Sequence, residues 1–268
     1  MKNIQKSIID SVSLEGKIVL ITGASSGIGR AIAHRFSEAG AKLLLLDINL
    51  EGLQTTIQGC IASNYEPKPF QVDVSSKEQV DSFWKNLDSD ELPDVIVNNA
   101  GVYPIMDYLK VDEEYLMKTL NVNMNSAFWM CQNYVRMRGK NGGVIVNISS
   151  IEAVLPFMKD LVHYSMSKAG VIALSRSLAR DYGRSGFRVN VVLPGGIKTP
   201  STKALRDDAV QKLKLNLIKT GYDFQQRLAN GRWGEPDEVA KVVLFLSSDL
   251  ASYVQGAVLP VDGGFLSS

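Results

Sequence analysis

Tyr164 and Lys168 stand four residues apart in Tyr164-Ser-Met-Ser-Lys168, a spacing that puts a phenol and an ammonium on one helix face. Small and apolar residues continue that helical pattern through Ala169, Gly170, Ala173, Leu174, Ser177 and Leu178 to about Ala179. A phenol with a pKa near 10 is only about 0.1% ionised at neutral pH, and its use as a proton acceptor there needs about 4 kcal/mol of preferential phenolate stabilisation. A lysine nearby, joined by a second cation, supplies charge of the right sign. The pair reads as a general acid/base, although a surface tyrosine beside a solvated lysine satisfies the same spacing.

A second group of residues is suited to binding. Thr22-Gly23-Ala-Ser25-Ser26-Gly27-Ile28-Gly29 follows an apolar run directly and opens a helix over Arg30 to Ala39. The glycines fall at i, i+4 and i+6, unlike the i, i+2 and i+5 of the dinucleotide fingerprint, but the physics transfers. Glycines permit a tight turn, let the N–H groups of Ser25, Ser26 and Ile28 approach a pyrophosphate, and bring a helix N-terminus onto it. Packing alone also calls for glycine in such a turn. Asp47 ends the next apolar run, eighteen residues beyond Gly29, near the roughly 20 expected of an acid that binds ribose hydroxyls. Its charge repels a 2′-phosphate and Ile48 and Asn49 bring no compensating cation, so NAD is favoured over NADP; Asn49 is better placed to cap the following helix. Asp73 and Val74, in Gln71-Val-Asp73-Val74, fit an adenine edge, and an ordinary turn aspartate fits equally.

These residues need a frame. Seven short apolar runs, Lys17–Thr22, Ala41–Leu46, Pro69–Val72, Asp94–Asn98, Gly143–Ile148, Arg188–Leu193 and Ala257–Val261, alternate with helix-period segments. Uniformly apolar, β-branched strands suit a parallel sheet covered on both faces. Ser75-Ser-Lys-Glu78 reads as a capping box, and Pro236 as a helix start. The expected fold is α/β: a single-domain, Rossmann-like, doubly wound parallel sheet over residues 14–268, preceded by an extension over 1–13. Ile197 to Gly231 is irregular, with Val210, Leu213, Leu217 and Ile218 at near-helical spacing. It reads as a lid of one or two short helices over the carboxyl ends of the strands, where such sheets bind ligands.

The composition of the 268 residues, 45% hydrophobic and 21% charged, excludes disorder and coiled coil. Twenty-nine Lys and Arg nearly cancel 28 Asp and Glu, so no global field draws the chain to nucleic acid or anionic lipid. Cys60 and Cys131 lie far apart without metal-ligand spacing and read as buried free thiols; no metal site is expected. With no signal-like or spanning apolar stretch, the expected location is the cytoplasm.

Taken together, Thr22–Gly29, Asn98-Asn99-Ala100-Gly101, Asn147-Ile-Ser-Ser150, Tyr164–Lys168, Pro194-Gly195-Gly-Ile197-Lys-Thr199 and Val261-Asp-Gly-Gly264 resemble, in order and spacing, the motifs of the short-chain dehydrogenase/reductase family. The resemblance runs from about Leu14 to Gly264. It implies reversible hydride transfer between a nicotinamide cofactor and a secondary alcohol/ketone pair. On it, Tyr164 is the acid/base, Lys168 lowers the phenol pKa and binds the nicotinamide ribose, and Ser150, preferred over Ser149, orients the substrate oxygen. Asn123 anchors a water-linked proton path, with Asn121 and Asn125 as decoys. Asn99, Ala100 and Gly101 border the cofactor, as do Pro194 and Gly195, while Ile197 and Thr199 hold the carboxamide. Ser26 and Ile48 occupy positions that are commonly basic in members using NADP, which again favours NAD. A homotetramer is the family expectation.

Tyr103, Val154 and Phe157 are expected to line a largely apolar substrate pocket. Glu152 is either a sugar-hydroxyl anchor there or a solvated or capping side chain. His163 is not assigned a relay role, because adjacent residues on a helix point in different directions. Lys203, Arg206, Lys212, Lys214 and Lys219 on the lid could attract an anionic acyl carrier, or form a solvated face. The alternatives that follow are a 3-oxoacyl thioester reductase, an aldose 1-dehydrogenase, and a catalytically silent NAD-binding regulator on the same fold.

Overall fold

A computed structural model describes residues 6–60, 65–211 and 215–268, leaving aside the side chains of residues 209, 210, 216 and 217. Lys212, Leu213 and Lys214 therefore lie outside the described residues, as do the side chains of Val210 and Leu217.

Among the described residues, seven parallel strands form one sheet: β1 (Ile18–Thr22), β2 (Lys42–Asp47), β3 (Lys68–Gln71), β4 (Val95–Asn98), β5 (Gly143–Ile148), β6 (Phe187–Pro194) and β7 (Val258–Val261). Their spatial order is β3-β2-β1-β4-β5-β6-β7. All seven expected strands are present, with ends shifted by at most one residue. The order reverses between β1 and β4, which leaves a crevice beyond their carboxyl ends. Each edge strand carries a proline, Pro69 and Pro260, which removes a donor from an exposed ladder.

The helices are α1 (Ile8–Val12), α2 (Gly27–Glu38), α3 (Leu50–Gln58), α4 (Lys77–Lys85), α5 (Glu113–Leu120), α6 (Ser126–Arg138), α7 (Val162–Tyr182), α8 (Pro200–Gln211), α9 (Leu215–Arg227) and α10 (Pro236–Ser247). Alternate side chains of each strand point to opposite faces. Val19, Ile21, Leu43, Leu45 and Val97 meet Ile32 and Phe36 of α2 and Val239 and Val243 of α10. Leu20, Leu44, Ile96 and Ile145 meet Trp84 of α4 and Met130 and Tyr134 of α6. Burial of each such side chain stabilises the fold by about 1.5–3 kcal/mol.

Local signals explain several helix starts. Asn49 caps α3 by accepting from the Gly52 N–H, and Pro236 stands in the first turn of α10, beside a Glu235/Glu238 capping box. The box expected at Ser75 and Glu78 is displaced by one residue. Ser76 caps α4 by accepting from the Gln79 N–H, while Gln79 Oε1 accepts from the Asp73 N–H at 2.9 Å. The turn held by Asp73 fixes which serine reaches the helix. Cys131 is buried but Cys60 only partly so, and both are free. Among the described residues no helix is long and apolar enough to cross a membrane.

Candidate active site

The turn after β1 is fixed by backbone closeness. Thr22 Oγ1 accepts from the N–H groups of Asn99 and Ala100, each at 3.1 Å. Asn99 Nδ2 returns two bonds of 3.0 Å to the carbonyls of Thr22 and Gly23. Gly23 has φ +67°, and a Cβ on it would lie 2.8 Å from the Ala100 Cα; one on Gly29 would land on the Gly23 carbonyl oxygen. These two glycines answer to packing. Gly27 is different: its φ is +53°, and its nearest neighbour would be the Thr199 methyl at 3.4 Å. Ser26 is the N-cap of α2 but makes no side-chain capping bond, so the first-turn N–H groups of α2 keep their capacity for an anion. Glycine at the open position and an uncapped helix N-terminus fit the pyrophosphate of a dinucleotide.

Asp47, at the end of β2, faces this turn. Its Oδ2 accepts from the Ser25 N–H at 3.1 Å and its Oδ1 from the Asn49 N–H at 2.9 Å. Arg30, unflagged by the sequence, reaches the same corner from one turn into α2. It donates to the carbonyl of Ser25 and, through Nε, to Thr56 Oγ1 at 3.1 Å. The signal was a cation on the face of α2 that packs on α3. Asp73 Oδ1 accepts from the N–H of Ser75 at 2.9 Å and its hydroxyl at 2.6 Å, the ordinary turn role. The Val74 side chain belongs to the core, which leaves its backbone as the group open to a ligand.

At the far side of the crevice, α7 carries Tyr164 (8% exposed) and Lys168 (4% exposed). Lys168 Nζ donates to the Ile148 carbonyl at 3.0 Å. A Cβ on Gly101 would lie 3.2 Å from that Nζ and 3.3 Å from Asn123 Oδ1, so glycine keeps this approach open. Burial pulls the Lys168 ammonium down to about 8. Burial pushes the Tyr164 phenol up to about 12; a Ser150 hydrogen bond pulls it back and the Glu152 charge pushes it further.

Asn123 is buried in a π-turn, Asn121–Asn125, between α5 and α6. Its Oδ1 accepts from the Val102 N–H at 2.8 Å, and its Nδ2 donates to the Val102 carbonyl at 3.0 Å and to Ser167 Oγ at 3.2 Å. Asn121 and Asn125 instead bond each other at 2.8 Å. Ser149 and Ser150 also part company: the Ser149 hydroxyl donates to the Lys168 carbonyl at 2.7 Å, whereas Ser150 meets the phenol. Below them, Asn98 Nδ2 donates to Asn147 Oδ1 at 2.7 Å, and Asn147 Nδ2 to Ser175 Oγ at 2.8 Å, a buried line joining β4, β5 and α7.

The outer wall comes from loops. The Tyr103 ring meets the Tyr164 ring edge-on at 4.7 Å, and its hydroxyl donates to Met158 Sδ at 3.1 Å. Phe157 packs on Phe224 of α9 and on Phe265, while Val154 is 55% exposed. Glu152 is buried, not solvated, and both its oxygens bond backbone N–H groups. His163 turns away: its Nε2 meets the Pro104 carbonyl at 2.9 Å and its ring meets Tyr115. Pro194 ends β6, and the Gly195 N–H donates to the Val261 carbonyl at 3.0 Å. Ile197 is buried and bridges Gly234. Thr202 Oγ1 donates to the Ile197 carbonyl at 2.8 Å and accepts from the Thr199 N–H at 2.9 Å, anchoring the start of α8. The stretch from Ile197 to Gly231, expected to be a loop with one or two short helices, carries the two helices α8 and α9, of 12 and 13 residues.

A family model described as enoyl-(acyl carrier protein) reductase matches residues 23–266. The chain is 35% identical to the 3-oxoacyl-[acyl-carrier-protein] reductase FabG of Thermotoga maritima, over 94% of this chain and 99% of that one. It is also 35% identical to the 2-dehydro-3-deoxy-D-gluconate 5-dehydrogenase of Bacillus subtilis, over 96% and 98%. A crystal structure from Beutenbergia cavernae, described as a candidate NAD(P)-dependent gluconate 5-dehydrogenase with bound NADP, superposes with TM-score 0.87 at 31% identity, over 96% of this chain and 100% of that one.

Proposed function

The chain belongs to the short-chain dehydrogenase/reductase family, and from that premise we propose that it is an NAD(H)-dependent oxidoreductase interconverting a secondary alcohol and a ketone. The observation that carries the reading is the buried set of Asn123, Ser150, Tyr164 and Lys168 beside an open glycine turn.

A bound nicotinamide ring supplies the hydride acceptor or donor. In the reductive direction, the Tyr164 hydroxyl gives its proton to the substrate oxygen as the carbonyl carbon is reduced. The Ser150 hydroxyl holds that oxygen. Lys168, held at the Ile148 carbonyl, stabilises the phenolate left behind, and Asn123 fixes the backbone of Val102 at the rim. Burial alone works against the phenolate, so a compensating positive charge is needed, and Lys168 is the residue of this chain placed to supply it. Asp47 holds the ribose hydroxyls. Arg30, with its guanidinium on Ser25 and Thr56, is engaged within the protein, which supports NAD even though a related structure holds NADP.

A 3-oxoacyl thioester reductase is the second reading, favoured by the likeness to 3-oxoacyl-[acyl-carrier-protein] reductases and by exposed Lys203, Arg206 and Lys219 on α8 and α9. An aldose 1-dehydrogenase is less favoured, since each Glu152 oxygen already holds an amide. Apolar side chains exposed on α5, α6 and α7, namely Met117, Phe128, Val162 and Met166, support a homotetramer, which light scattering tests. The deciding experiment assays ketones, acyl thioesters and aldoses with both cofactors. Tyr164→Phe is expected to lower turnover about 10³-fold with NADH binding retained, and substantial residual turnover would refute the acid/base role. Asp47→Ala should weaken NAD about tenfold, close to 1.4 kcal/mol, and relax discrimination; a wild type that prefers NADPH would refute the cofactor assignment.

A further inference from the structure

Glu152 is 6% exposed, and each part of it is engaged. Its N–H donates to Ser150 Oγ at 3.2 Å. Oε2 accepts from the Phe157 N–H at 3.1 Å and Oε1 from the Met158 N–H at 3.2 Å. Two amides on two separate oxygens suit a group that only accepts; a glutamine would set its own NH₂ against one of them. Met158 then receives the Tyr103 hydroxyl on Sδ, and the Tyr103 ring rests edge-on against Tyr164. The contacts leave from Ser150 and return to Tyr164, and Glu152 is the charged member of that circuit.

We propose that Glu152 is a positioning residue: it holds the loop from Val154 to Met158, and through it Tyr103, against Tyr164, and it sets a buried carboxylate next to Ser150 at the acid/base. This rests on the reading of Tyr164 as the acid/base. The groups that act on the phenol are Ser150, which bonds it, Glu152, whose charge reaches it, and Tyr103, whose ring rests on it. Glu152 is the charged one among these, and Lys168 stands one helical turn along α7 with its ammonium on the Ile148 carbonyl. Burial pushes the Glu152 carboxyl up while the two amides pull it back, and Tyr164 and Tyr103 both feel its charge. A purely structural brace would fix the loop without biasing the phenol.

Ultraviolet difference absorbance of tyrosine ionisation, wild type minus Tyr164→Phe, isolates the Tyr164 transition with NAD⁺ bound and no substrate. Glu152→Gln is expected to move that transition down by about one pH unit, whereas Glu152→Asp, which keeps the charge, stays near wild type. An unmoved midpoint in Glu152→Gln overturns the proposal and leaves the acid/base reading intact. The absence of any transition lost in Tyr164→Phe overturns both. Tyr103→Phe removes only the hydroxyl on Met158 and covers the case in which Glu152→Gln does not fold. It should speed amide exchange at Phe157 and Met158 several-fold, and unchanged exchange there overturns the positioning role.

Discussion

The two ends of the sheet use polar residues in opposite ways. At the amino ends of β1, β4, β5 and β6 lies a cleft of about 410 Å³ lined by Lys6, Lys17, Asp94, Arg138, Arg188 and Asp249, among others. Its charges answer one another: Lys6 pairs with Asp249, and Lys17 and Arg138 with Asp94. The Lys6 and Asp249 side chains are more than 60% exposed, so water screens their attraction. At the carboxyl ends, by contrast, a few titratable groups are buried among neutral hydrogen-bond partners, and two of them, Tyr164 and Lys168, have pKa values displaced in opposite directions. Density of charge marks the quieter end; the end suited to chemistry holds few charges, at high electrostatic cost.

Lys168 gives the largest test of that contrast. Its folded pKa of about 8 lies below the ordinary 10.5, so the unfolded chain binds the extra proton between those values. Stability should therefore rise with pH across that window, by up to about 1.4 kcal/mol per unit. Tyr164, pushed up to about 12 from 10, acts in the opposite sense above pH 10, because the unfolded phenol ionises first. Denaturant unfolding of Lys168→Met should show a flatter rise from pH 8 to 10. An unchanged slope would mean that this ammonium is solvated.

Asn147→Ala tests the neutral part of the same end. It leaves Asn98 Nδ2 and Ser175 without their partner in the buried line, at a cost of about 1–3 kcal/mol. The expected readout is a lowered urea midpoint with an unchanged m-value. The smallest effect is expected across the sheet: Lys6→Ala should change stability by less than about 1 kcal/mol and leave NADH binding unaltered. A loss of cofactor affinity there would break the distinction between the two ends.

The sheet and the glycine turn were legible because their signals are local. β-Branched runs and a glycine cluster report on their own backbone, and Asp47 lies at a fixed reach from them. Glu152, Tyr103 and Arg30 were not legible in that way. Glu152 could be read as a sugar anchor or as a solvated or capping side chain, and what decides is the return of the chain at Phe157 and Met158, five and six residues later. Tyr103 meets Tyr164 only after the loop following β4 folds back, and Arg30 meets Ser25 only once α2 packs on α3. The capping box was off by one because Asp73 Oδ1 takes both the N–H and the hydroxyl of Ser75 into its own turn. The motif marked Asn123 and set its neighbours aside, but nothing in Asn121–Asn125 announced a π-turn.

That turn has a consequence for how the helix tolerates changes in length. One extra residue in a helical turn rotates whatever follows by about 100°, which is how Asn123 faces Val102 while Asn121 and Asn125 close on each other. Deleting one residue there would heal the helix into a regular one, with more uniform backbone bonding, and would carry the asparagine off the Val102 rim. In Asn121–Asn125, regularity and placement compete, and the chain keeps the irregular register.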